Sequence, residues 1–145
     1  MSEQENIQRV HDRVALLNAR DFSSYVAPLD DSFVGESGAV PGGLRGPENV
    51  QQQLLMMMVA FPDLHIEVEH VIASGDFVVS CVKLTGTHKG TYAGIPATNK
   101  TVSWGVCTVS EVRNGKTVRS RLYGDNGSLL RQIGGGSVPG ATAVE

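Results

Sequence analysis

The chain of 145 residues has only two cysteines, Cys81 and Cys107, and they are too few for a disulfide scaffold or a multi-thiolate metal site. Both lie in apolar stretches where a small buried thiol packs well, so a reduced, cytoplasmic setting is expected. Long apolar runs are missing too. No stretch approaches the roughly 18 apolar residues that span a bilayer, and the polar start, Met1 to Arg9, contains no apolar export segment. Charge is sparse: 12 Lys and Arg stand against 15 Asp and Glu, a net charge of -3, with no basic run to neutralise phosphates. Membrane and nucleic acid are therefore not the expected partners. An apolar fraction of 41% with so little net charge excludes a disordered chain, and the length suits a single core.

What is present is organised by period. Ile7, Val10, Val14 and Leu17 recur at steps of three and four, which predicts an amphipathic helix starting near residue 3. Ser2 and Glu5 have the spacing of a capping box, which would satisfy free backbone donors at its start. Phe22 to Val26 is a short segment stopped by Pro28, and the Gly/Pro-rich stretch Gly35 to Gly46 reads as a long connection. Pro47 suits the first turn of a second helix over Glu48 to Ala60, with Leu54, Leu55, Met57, Met58 and Phe61 as its apolar face.

From Leu64 the pattern changes to runs rich in Val, Ile and Thr, which predict four strands: Ile66 to Ala73, Phe77 to His88, Thr101 to Val112 and Lys116 to Tyr123. Asn114-Gly115 predicts a type I′ hairpin turn, because both central residues of that turn need positive φ. Gly75-Asp76 likewise marks a turn between antiparallel neighbours. A short helical turn around Leu129 to Gln132 follows. Gly134 to Glu145 has little to bury and reads as a disordered tail, which leaves residues 1–133 as one domain of class α+β.

Several local strings are more specific than these patterns. Gly46-Pro47-Glu48, Ala60-Phe61-Pro62-Asp63-Leu64, Gly86-Thr87-His88-Lys89-Gly90, Gly94-Ile95-Pro96-Ala97-Thr98 and Leu129-Leu130-Arg131-Gln132-Ile133-Gly134 occur in this order between residues 46 and 134, and with the helix before them the pattern covers roughly residues 5–134. In them the chain resembles the SnoaL-like polyketide cyclases, a branch of the nuclear-transport-factor-like cone fold. The resemblance implies a cone-shaped α+β barrel: N-terminal helices on a curved, mostly antiparallel sheet that encloses one apolar pocket. It further implies a small hydrophobic polyketide-like substrate, ring closure in antibiotic biosynthesis without metal or redox cofactor, and a homodimer formed through the outer face of the sheet. Similar cones also serve as isomerases, epoxide hydrolases and carriers, so fold alone does not select the reaction.

Strand parity puts Val78, Ser80, Val82, Leu84, Gly86 and His88 on one largely apolar face. His88 at a pocket rim would be a general acid–base; alternatively it ties down the loop that follows it. Asp125, before the Leu-Leu-Arg-Gln string, is the second catalytic candidate. Inside an apolar cone its carboxyl would hold a proton, whereas at the edge of the cone it would cap the terminal turn. In the resemblance, the aldol-type cyclases have their catalytic Asp where this chain has Leu122, which cannot move a proton. That departure favours either Asp125 as a substitute or a pericyclic [4+2] closure driven by positioning. Trp104, Leu122, Tyr92, Tyr123, Met57 and Leu84 are the expected substrate contacts, with Tyr92 as part of a lid. Met56, Met57 and Met58 read first as ordinary core and second as an adaptable wall for an apolar ligand. Arg119 and Arg121 alternate onto the outer face. His65 and His70 have no acidic or thiol partners spaced for a metal.

Overall fold

The structure, a computed structural model, describes residues 2–38 and 40–134, with Pro41 described for its backbone only. The tail expected from 134 onward thus lies, beyond Gly134, outside the described residues.

The first helix, α1 (Glu3–Asn18), begins where the sequence indicates. The Ser2 hydroxyl accepts from the Glu5 amide at 3.1 Å and donates to the Glu5 carboxylate at 3.1 Å. Side chains fasten α1 to the sheet along its length. Glu3 accepts from the amide of Gly75, Arg9 donates to the carbonyl of Gly115 at 2.7 Å, and Asn18 exchanges two 2.9 Å bonds with the backbone of Ile66. Arg20, at φ 65°, reverses the chain into α2 (Phe22–Val26), which Asp21 caps by accepting from the Ser24 amide.

The stretch expected to be a long connection is instead a strand pair, β1 (Leu29–Ser37) and β2 (Val40–Arg45), joined antiparallel at one edge of the sheet. Gly43 serves close approach rather than looseness. A Cβ on Gly43, which has φ +74°, would stand 2.5 Å from the carbonyl oxygen of Gly35 across the ladder. Glycine in a strand therefore misleads a reading based on turn propensity. Helix α3 (Gly46–Ala60) follows with Pro47 in its first turn. Met57 and Met58 face inward, while Leu55, expected on the apolar face, is 48% exposed.

The four predicted strands are present as β3 (His65–Ser74), β4 (Phe77–Thr87), β5 (Thr101–Arg113) and β6 (Lys116–Gly124), and α4 (Asn126–Gln132) is the last element among the described residues. Asn114 and Gly115 both have positive φ, 51° and 74°, as a type I′ turn requires. The sheet order is β2-β1-β6-β5-β4-β3. All ladders are antiparallel except β1 with β6, so the sheet is mixed, and its two edges leave it curved but not closed.

One irregularity sets which side chains face inward. Glu111 pairs with Arg119 and Val112 with Thr117, so Val118 is an extra residue in β6. This bulge puts Thr117 rather than Val118 on the inner face, in phase with Ser120. The outer face carries Arg119 and Arg121, which flank Glu36 at 3.6 and 3.5 Å. It also carries Cys81 and Cys107. Expected in the core, they lie opposite each other across β4 and β5, half-buried, with the Cys107 thiol donating to Cys81 at 2.8 Å.

Candidate functional site

Between α1, α3 and the concave face of the sheet lies a cavity of about 320 Å³, within the usual range for small-molecule sites. The strand register determines what each cross-strand row contributes to it. One end of the inner face is apolar, with Ile66, Leu84 and Trp104 opposite one another, and Val82 next to Val106 in the adjoining row. The α3 side chains Leu54, Met57 and Met58 cover this end. The next two rows are different. Ser80, Thr108, Leu122 and Ser37 form one, and Val78, Ser110, Ser120 and Gly35 the other. Hydroxyls thus band the sheet toward the β5–β6 turn, and Ser110 and Ser120 share a 2.8 Å hydrogen bond.

Over the banded end runs α1, which presents Asn6, Arg9 and Arg13 to the cavity. The Arg13 guanidinium lies 4.0 Å from the centre of the Tyr25 ring, and its Nε donates to the Tyr25 carbonyl at 3.1 Å. Burial, and then the neighbouring charge of Arg13, hold Arg9 below its ordinary pKa. Among the described residues the lining contains hydroxyls, amides, two guanidiniums and the phenols of Tyr25 and Tyr92, but no carboxylate and no imidazole. Burial pushes the Tyr92 phenol up, so it remains a hydrogen-bond donor at neutral pH.

Five of the six expected contacts, Trp104, Leu122, Tyr92, Met57 and Leu84, line this cavity. Tyr123 does not. It pairs with Cys107 on the outer face and is 62% exposed, because it neighbours the inward-facing Leu122 and points the opposite way. The two catalytic candidates are also elsewhere. Asp125 is exposed and caps α4, its carboxylate accepting from the Ser128 amide at 3.1 Å; the expected pocket placement is replaced by the capping one. His88 has the expected parity but lies past the end of the cavity, fully buried, with Nδ1 accepting from the Thr98 amide at 3.3 Å and 3.0 Å from the Thr98 hydroxyl. It closes the loop 88–98, which is the alternative the sequence offered.

Asn6, Arg9, Arg13 and the hydroxyl band were not among the candidates. Their signals were present: Asn6 and Arg13 fall on the inward stripe of α1, and Ser80, Ser110 and Ser120 have inward strand parity.

The fold agrees with the comparisons. The profile of the "SnoaL-like polyketide cyclase" family matches residues 6–133. AclR from Streptomyces galilaeus, provisionally assigned as a hydroxylase, is 26% identical, with a TM-score of 0.82 over 92% of this chain and 98% of its own. TsrD from Streptomyces laurentii is 20% identical, with a TM-score of 0.83 over 93% and 99%. A SnoaL-like polyketide cyclase from Agrobacterium tumefaciens is 19% identical, with a TM-score of 0.73 over 92% and 100%. No curated protein matches the chain significantly. With its helices on a curved sheet, an apolar cavity between them, and a family profile that matches nearly its whole length, the chain belongs to the SnoaL-like polyketide cyclases.

Proposed function

We propose that this protein is a cofactor-independent cyclase of antibiotic biosynthesis, working as a cytoplasmic homodimer. It takes a mostly apolar polyketide chain into the cavity and closes a carbon ring by positioning. The observation that carries this reading is the composition of the wall: largely apolar, banded by hydroxyls, and without a carboxylate or imidazole among the described residues. Such a wall orients a flexible chain and excludes water but offers no side chain suited to shuttling protons near neutral pH. Holding two reacting carbons at near-attack distance can by itself remove several kcal/mol of barrier, roughly 7–11 in the best intramolecular cases. A pericyclic [4+2] closure needs no proton transfer, and it is the ring-forming chemistry this wall fits best.

The acid–base assistance expected from Asp125 and His88 has no support in the cavity, and Leu122 stands where an acid would have been expected. An isomerase or epoxide-opening hydrolase would need acid and base together near the substrate, which makes those readings weaker. Leu84, Trp104 and Tyr92 are the proposed contacts for the folded chain. For the homodimer, the outer sheet face, with Tyr123 and Phe77 exposed, is the proposed contact.

The test is incubation of the purified protein with the small molecule it retains when isolated from its producing organism. Conversion of that molecule at constant mass supports cyclisation; retention without conversion under every condition identifies a carrier and overturns the reading.

A further inference from the structure

Asn6 is 3% exposed, lines the cavity from α1, and its side-chain oxygen has no hydrogen-bond partner among the described residues. A buried acceptor left unpaired costs roughly 1–3 kcal/mol, so such groups need an explanation. Nothing in the packing of α1 requires an amide there. Its neighbours on the helix do the fastening: Glu3 holds the β3–β4 turn at Gly75, and Arg9 holds the β5–β6 turn at Gly115. Asn6 lies between these two anchors and therefore over the end of the sheet where Ser110, Ser120 and Thr117 face inward.

We infer that Asn6 is a specificity-determining residue that accepts a hydrogen bond from a hydroxyl group of the ligand, and so fixes which end of the ligand enters first. The ligand class that fits is an amphipathic one: a hydrocarbon body against Leu84, Trp104 and Met57, with a hydroxyl at the end that meets α1. The hydroxyl donates to Asn6 Oδ1, and its oxygen accepts from the serine and threonine band. Asn6 Oδ1 is already closed to water, so a ligand that can only accept leaves it unpaired as before, whereas a ligand with a donor relieves it. The selectivity between two ligands that differ only in that donor should thus be large.

This inference rests on the reading of the cavity as the substrate site, and the test separates the two. The probes are 2-naphthol and 2-methoxynaphthalene, the second keeping the ring and the acceptor oxygen but losing the donor. Their binding to the full chain is measured by calorimetry. Wild-type protein is expected to prefer 2-naphthol at least tenfold. Asn6→Leu, close in shape but without an acceptor, is expected to bring the preference to within twofold of unity while leaving the 2-methoxynaphthalene affinity unchanged. Asn6→Ala gives the same readout should the leucine disturb α1, and Asn6→Asp, which retains an acceptor, is expected to keep the preference. A preference that survives in Asn6→Leu or Asn6→Ala overturns the role of Asn6 while leaving the cavity as a binding site. Failure of both probes to bind wild-type protein overturns the cavity reading and this inference with it.

Discussion

The His88 imidazole lies 5.6 Å, centroid to centroid, from the ring of Phe61, and Phe61 in turn contacts Trp104 at 5.2 Å and Tyr92 at 5.5 Å. Trp104 and Tyr92 line the cavity; Phe61 and His88 do not. A fully buried phenylalanine therefore separates the histidine from any ligand. The Thr98 amide donates to Nδ1, and Nε2 is buried with no partner among the described residues.

The first prediction follows from that arrangement. His88→Ala removes a buried ring and the bond that closes the loop 88–98. It should lower stability by about 2–4 kcal/mol, a fall in Tm of roughly 6–12 °C. Turnover per folded molecule, measured well below Tm, should stay within about twofold of wild type.

Asp125 gives a contrasting case. Asparagine caps a helix about as well as aspartate, so Asp125→Asn should leave both Tm and turnover nearly unchanged, whereas Asp125→Ala should cost about 1 kcal/mol of stability. Thermal unfolding and steady-state kinetics of the two variants check this. A large loss of turnover in Asp125→Asn with unchanged Tm would return the residue to chemistry.

Filling the cavity should do what removing the acids does not. Val106 faces inward in the row between Trp104 and the hydroxyl band, so Val106→Trp would occupy space meant for the ligand. Because the added ring enters existing volume, Tm should move little, while affinity for 2-naphthol should fall at least tenfold by calorimetry.

A fourth prediction concerns acid stability. Hydrogen bonds from the Thr87 amide and hydroxyl, each 2.7 Å, hold the Asp63 carboxyl below its usual pKa and join the turn after α3 to the end of β4. A carboxyl depressed in the folded state adds stability that is fully present above its unfolded pKa of about 3.9 and is lost as pH falls through the lower folded value. Wild-type Tm should therefore drop on acidification below about pH 4, and the drop should be shallower in Asp63→Asn, which is less stable at pH 7. Parallel scans from pH 7 to pH 2.5 measure the difference.

Much of this was legible beforehand, and the failures have physical causes. Long periodic elements with strong punctuation were readable: α1 from Ser2 and Glu5, and the β5–β6 hairpin from Asn114-Gly115. The β1–β2 pair was not, because Gly35 and Gly43 look like loop residues until the close approach of the two strands is known. Parity correctly turned Leu84, Trp104 and Leu122 inward, yet it could not reveal the bulge at Val118, which depends on pairing with Glu111 and Val112. His88 had the right face and the wrong depth, since the reach of a cavity along a strand is set by what packs on it, here Phe61. The search for chemistry favoured acids and imidazoles and passed over Asn6, whose significance lies in a missing partner that only the packed structure exposes.

The central claim is that the cavity closes a ring by positioning rather than by proton transfer from a side chain. The most direct test is the pH dependence of kcat/KM for constant-mass conversion between pH 5.5 and 8.5. The account predicts a flat profile, because no carboxylate or imidazole is found among the described residues of the wall. A bell or a limb of unit slope in that window, abolished by Asp125→Asn or by a variant of His88, would contradict it.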